Sequence, residues 1–169
     1  LEQLQAAGQL PLLVERCRDF AQASDEGNNS HLITGSHNRH YTAWRSRQIN
    51  RLSSQVPQWL SEDIGHFPVS FELSQGCSVG CWFCSVSAPT LEDIFFYTPE
   101  NAQLWRNVLE LLQEKLGTAA ADGFCYWATD PLDNPDYEKF LCDYHEILGV
   151  FPQTTTAQPL KNINRTKSL

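Results

Sequence analysis

The sequence predicts an α/β protein in which strands alternate with helices, and so a parallel sheet with right-handed crossovers. Three observations carry this. VSFELS at 69–74 sets Val69, Phe71 and Leu73 against Ser70, Glu72 and Ser74, the period of a strand. YTPENAQLWRNVLELLQEKLG at 97–117 and PDYEKFLCDYHEILG at 135–149 carry helix starts, helical periodicity and glycine stops. DGFCYWATD at 122–130 and FPQTTTAQP at 151–159 lie where further strands would follow each helix. Three strands cannot close a barrel, so the pattern describes an open sheet or the first half of a larger barrel.

Residues 1–66 read as an N-terminal helical and loop extension. PLLVERCRDFAQ at 11–22 places Leu12, Leu13, Cys17 and Phe20 on one helix face, with Pro11 in the first turn. SDEGNNSHLITGSHN at 24–38 reads as a loop, and residues 39–60 as partly helical, ending near Pro57. From His31 to Leu60 there are four arginines, Arg39, Arg45, Arg47 and Arg51, and no acid. Contact with an acidic peptide or phosphate is one reading, and a solvated helix face is the favoured one. His31, His37 and His40 belong to polar surface, and Trp44 and Trp59 to a core or domain contact. In the helix at 97–117, Thr98 caps, Pro99 suits the first position and Glu100 complements the dipole. Its expected apolar face is Leu104, Val108, Leu111 and Leu112, with Trp105 and Leu116 at the edges. In the second helix His145 is expected to be exposed.

The chain has 169 residues, 41% of them hydrophobic and 19% charged, enough for a core. A net charge of -8 makes it a poor candidate for nucleic acid. It has no run of about eighteen apolar residues that would cross a membrane, and no basic-then-apolar leader. The expected location is the cytoplasm. There is no methionine, which suggests an excerpt of a longer protein.

Cys17, Cys125 and Cys142 are scattered, whereas Cys77, Cys81 and Cys84 fall within eight residues of FELSQGCSVGCWFCSVSAP. Grouped cysteines without a secretory leader point to metal or catalysis. Structural zinc takes four ligands, often as two spaced pairs, and His66 is the nearest further candidate. A [4Fe–4S] cluster held by three thiolates keeps one iron open for a substrate or cofactor. The loop follows the end of a strand, where α/β folds place ligands. Gly76 and Gly80 allow a tight backbone, Ser78, Ser85 and Ser87 are small and polar, and Trp82 and Phe83 can shield a cluster from water.

CSVGCWFC resembles the cluster-binding motif of the radical S-adenosylmethionine (radical SAM) superfamily, with Phe83 at its aromatic position. The resemblance implies the first half of a partial (β/α)6 radical SAM barrel, its first three β/α units over 67–169. It implies a [4Fe–4S] cluster on Cys77, Cys81 and Cys84. The open iron would bind S-adenosyl-L-methionine, and reductive cleavage would yield a 5′-deoxyadenosyl radical. A flavodoxin- or ferredoxin-type donor would supply the electron. The superfamily's Gly-Gly-Glu-like turn corresponds here to YWATDP, so Thr129 and Asp130 are the candidate cofactor contacts, with Ala128 and Thr129 in place of the glycines. Asp130-Pro131 reads equally well as a turn. Thr154, Thr155, Thr156 and Gln158 could line the site or simply form a strand.

The longer phrases FELSQGCSVGCWFCSVSA and YWATDPLDNPDYEKF resemble the proteusin-type radical SAM epimerases, which convert L-residues of a ribosomally made precursor peptide to D. That implies removal of a Cα hydrogen and return of another from a thiol, whose cysteine is expected beyond residue 169. No catalytic residue is identified within the chain. Cys142 is expected to pack against the sheet, and Cys125 could face the interior; buried free cysteines are mostly inert. Other readings are a thioether-forming or methylating radical SAM enzyme, a noncatalytic metal module, and a peptide-binding protein whose N-terminal helices hold a leader sequence.

Overall fold

The computed structural model describes residues 37–56 and 67–168. The expected helix at 11–22, and with it Cys17, His31, Trp59 and His66, lie outside the described residues. The chain divides into two units, Leu1–Thr34 and Gly35–Leu169, and every described residue belongs to the second.

Helix α1 spans Arg39–Ser53. Asn38 caps it by accepting from the backbone N–H of His40 and Tyr41, and its amide donates to Lys115 O at 3.0 Å. Arg51 in its last turn complements the dipole. None of its residues is fully buried. Tyr41, Trp44, Ile49 and Leu52 are half-buried, and Arg39, Arg47 and Arg51 are exposed.

Residues 69–75 form the centre of a small sheet. On one side Phe71 N–H donates to Phe124 O at 2.9 Å and Phe71 O accepts from Trp127 N–H at 3.0 Å, between a parallel bridge of Ser70 with Phe124 and an antiparallel bridge of Glu72 with Tyr126. On the other side β1 (Ser74–Gln75) runs antiparallel to β2 (Asp93–Ile94), with Ser74 opposite Ile94. A parallel strand was expected at 122–130; the contact is two isolated bridges of opposite sense, shorter than a full strand. Ala128 at φ +55 turns the chain away after four residues of contact. The pairing with 92–95 carried no sequence signal. Residues 151–159 form no strand. Their polar groups bond to side chains instead: Thr154 to the Tyr137 hydroxyl, and Thr156 and Ala157 to Asp130.

Helix α2 (Pro99–Leu116) starts as the sequence predicts, with the Thr98 hydroxyl accepting from Asn101 N–H and proline in the first turn. Its buried stripe differs from expectation. Trp105 and Leu109 are buried, while Leu104 and Leu111 are about half exposed. The rotation follows from aromatic packing. Trp105 meets Phe71 and Phe140 edge-on at 4.6 and 5.6 Å, and its indole N–H donates to Phe140 O. Helix α3 (Tyr137–Leu148) brings Phe140 to the centre of this cluster, with Phe95 and Tyr97 also on its ring, and Gly149 ends it in the left-handed conformation. A short α4, Ile163–Ser168, follows. His145 is exposed as expected, stacked on Phe151 at 4.2 Å. Cys142 is exposed rather than packed against the sheet, because α3 turns Leu141 and Tyr144 inward instead.

Polar ties supplement this core. Asn134 is 1% exposed, and its amide donates to Leu73 O at 2.7 Å and Phe95 O at 3.0 Å, clipping both sides of the strand pair. Arg106 on α2 bridges Asp143 and Glu146 on α3. Asp136 accepts from Tyr97 N–H and Lys139.

Replacing Asn134 by alanine removes both clip bonds from a buried position and is expected to cost about 2–3 kcal/mol in urea unfolding. A loss under ~0.5 kcal/mol, the level of an ordinary surface substitution, would contradict this role. Acid stability follows from the bridges. Lys139 and Tyr97 N–H hold Asp136 below its ordinary 3.8, and Arg106 holds Glu146 below its ordinary 4.5. Both carboxylates are lowered by folding, so their contribution is full above the ordinary values and is lost as pH falls through the folded ones. Melting temperature should therefore hold from pH 7 to about 5 and fall below about 4. Arg106→Leu should flatten that fall.

Candidate metal centre

The cysteine loop leaves the sheet immediately after β1. Gly76 at φ +83 makes the exit, and Cys77 N–H then donates to Pro89 O at 2.9 Å, closing the base of the loop. A Cβ on residue 76 would stand 2.4 Å from Thr90 O and 2.9 Å from Pro89 O, so only glycine fits. Gly80 turns the loop at φ +65 in open space. Past it, Cys84 N–H donates to Cys81 O and Ser87 N–H to Cys84 O, a pair of successive turns.

Cys77, Cys81 and Cys84 are half-buried free thiols. Two sulfurs accept backbone hydrogen bonds, Cys77 Sγ from Val79 N–H at 3.5 Å and Cys84 Sγ from Ala88 N–H at 3.4 Å. The thiols differ in character. Burial pushes the Cys77 thiol up, the Val79 N–H opposes this, and the carboxylates of Asp133 and Asp130 add to the rise. Cys84 is pulled down by the backbone N–H groups of Ala88, Val86 and Ser87. Among the described residues no three His, Cys, Asp or Glu side chains already converge as metal ligands. The donor set itself fits: three unpaired thiols on one loop, accessible, with N–H groups already directed at two sulfurs.

Trp82 and Phe83 do not shield the loop. They are 92% and 67% exposed and pack edge-on against each other. Their rings project outward from a pair of successive tight turns.

The segment after Thr129 and Asp130 reaches the loop, through the bonds of Asp133 to Ser78, and the Asp130 carboxylate adds to the rise of the Cys77 thiol. The turn before Thr129 and Asp130 places Ala128 at φ +55, a conformation that favours glycine. Thr129 Oγ1 is buried without a hydrogen-bond partner. Asp130 is 3% exposed and its carboxylate is occupied, accepting from Leu132 N–H, Ala157 N–H and the Thr156 hydroxyl, each at 2.9 Å. In this arrangement Asp130 orders the turn, and the unsatisfied polar atom is that of Thr129. Gln158 reaches the loop through Ser78 Oγ at 3.2 Å, Thr156 meets Asp130, and Thr154 points to Tyr137.

Cys125 is fully buried among Leu109, Tyr137, Phe140 and Tyr144, and burial pushes its thiol far up. Sequence reasoning passed over Asp133, whose carboxylate binds Ser78 within the cysteine loop. The phrase DPLDNPD reads as turn chemistry, and nothing in it names a partner some fifty-five residues away.

No protein-family model matches the chain. It is similar to an uncharacterized protein of Sinorhizobium fredii, y4wI, at 49% identity over 125 residues. That alignment covers 74% of this chain and 24% of the relative, so the chain spans about a quarter of that protein's length. No solved structure matches. No helix among the described residues is long and apolar enough to cross a membrane.

Gly76→Ala forces a methyl group into the Thr90 carbonyl, whereas Gly80→Ala meets no atom and should cost only the left-handed backbone, about 1–2 kcal/mol. Gly76→Ala should therefore be the more destabilising of the two and should open 77–90 to limited proteolysis. Equal melting temperatures and equal cleavage would contradict the closed base of the loop.

Proposed function

We propose that the chain carries the cluster site of a radical SAM enzyme, and that the complete protein epimerises L-residues of a ribosomally made precursor peptide to D. The observation that supports this most is the loop at 77–84. Three free, half-buried thiols at C-x3-C-x2-C spacing follow the first extended segment, and Asp133, three residues after Asp130, binds Ser78 beside the first of them.

Cys77, Cys81 and Cys84 would hold a [4Fe–4S] cluster and leave one iron for S-adenosyl-L-methionine. When bound, the pair supplies a deoxyadenosyl radical able to remove a Cα hydrogen. The chain's own contribution is placement. Val79 and Ala88 N–H groups direct hydrogen bonds at sulfur, which stabilises thiolate and tunes a cluster. Thr129 offers an unpaired hydroxyl, and Asp130 fixes the turn that presents it. Phe83 offers an exposed ring beside the last cysteine. Water exclusion is not provided by Trp82 or Phe83 alone, so the substrate or the rest of the protein must cover this face.

The test is co-expression of the complete reading frame with its precursor peptide in deuterated water. The expected result is a gain of roughly one mass unit per modified residue, with D-residues on hydrolysis, because the returned hydrogen comes from an exchangeable thiol. Replacing any of Cys77, Cys81 or Cys84 by alanine should abolish it. Loss of hydrogen or gain of a methyl mass would remove the epimerase reading and keep the cofactor. Zinc at about one per chain, with no iron after anaerobic reconstitution, would overturn both.

A further inference from the structure

Ser78 follows the first cysteine, and its bonds all lead out of the loop. Its N–H donates to Asp133 Oδ2 at 2.8 Å and its hydroxyl to Asp133 Oδ1 at 2.5 Å, so one carboxylate grips one residue at two points. The next N–H, that of Val79, is directed the other way, at Cys77 Sγ. The clamp therefore fixes the peptide between Cys77 and Ser78 and leaves the following N–H for sulfur. Asp133 is itself held. It ends the short turn Pro131–Asp133, whose first residue is preceded by Asp130, bound to Thr156 and Ala157. Arg165 holds the same turn from behind through Leu132 O. The Ser78 hydroxyl also accepts from Gln158 at 3.2 Å and Lys161 at 3.3 Å. Three distant segments, 77–79, 130–133 and 156–161, thus meet in one set of polar contacts at Ser78, next to the first cysteine.

We propose that Asp133 is a positioning residue for the cysteine loop: its clamp on Ser78 sets the direction of Cys77 for cluster binding and couples the loop to 156–161. The inference rests on the cluster reading given above. The clamp gives the start of the loop a second tie beside the bond from Cys77 N–H to Pro89 O: Ser78 is exposed, and hydrogen bonds to a charged acceptor set its place. Removing such an outer partner typically weakens metal affinity by about 10–100-fold.

The experiment uses the complete protein, reconstituted anaerobically with iron and sulfide, as wild type, Asp133→Asn, Asp133→Ala and Ser78→Ala. Three readouts are taken: iron per chain, the rate of iron loss to a ferrous chelator, and hydrogen exchange of 77–81 in the metal-free protein. Melting temperature serves as the fold control. Iron loss is expected to be about tenfold faster or more in Asp133→Ala, with smaller effects in Asp133→Asn and Ser78→Ala, and with faster exchange confined to 77–81. Variants matching wild type in iron loss and exchange would overturn the positioning role and leave the cluster reading intact. A wild-type protein that takes up no iron would overturn the cluster reading, and this inference with it.

Discussion

The stretch DPLDNPD at 130–136 is the constraint on which the rest depends. Within seven residues it commits four polar side chains to three separate stretches of the chain, 73–78, 95–97 and 156–157. Asp130 takes Thr156 and Ala157, Asp133 takes Ser78, Asn134 takes Leu73 and Phe95, and Asp136 takes Tyr97. Two prolines stiffen the segment, which lowers the entropy lost when it adopts this shape. Short strands of two residues cannot align themselves, because a ladder so small offers few bonds against the cost of ordering the chain. Here register is imposed from outside the sheet, by the Asn134 amide donating to two backbone carbonyls and by carboxylates accepting from backbone N–H groups.

The aromatic core supplies the complementary part. Phe140 gathers Phe95, Tyr97 and Trp105, and Trp105 reaches Phe71. These contacts bind α2 and α3 to the sheet without specifying the loop beyond β1. Burial is non-directional, whereas the bonds from 130–136 are directional. The core fixes which elements meet. The polar segment fixes where the cysteine loop begins, and so where a ligand could be held.

The helices were legible in the sequence because their caps and periodicity are local. Thr98, Pro99 and Gly149 do what their residue types lead one to expect. The buried face of α2 was not, because Leu104 and Trp105 compete for one position and the ring with most contacts took it. Strand extent at 122–130 and 151–159 was over-read: threonine propensity gave way to the hydroxyls' own bonds to Asp130 and Tyr137. The three-cysteine motif was legible by spacing alone. Asp133 and Asn134 were not, since an Asp or Asn beside proline reads as a turn and its long-range partner leaves no periodic trace.

The cysteines show how one side chain takes opposite roles by placement. Cys125 lies in the aromatic core, where burial keeps its sulfur protonated and out of reach. It fills space in that core. Cys84 sits on a turn whose N–H groups favour the thiolate, on a surface open to a ligand. Cys77 lies between these cases, desolvated and beside two carboxylates that oppose a bare thiolate.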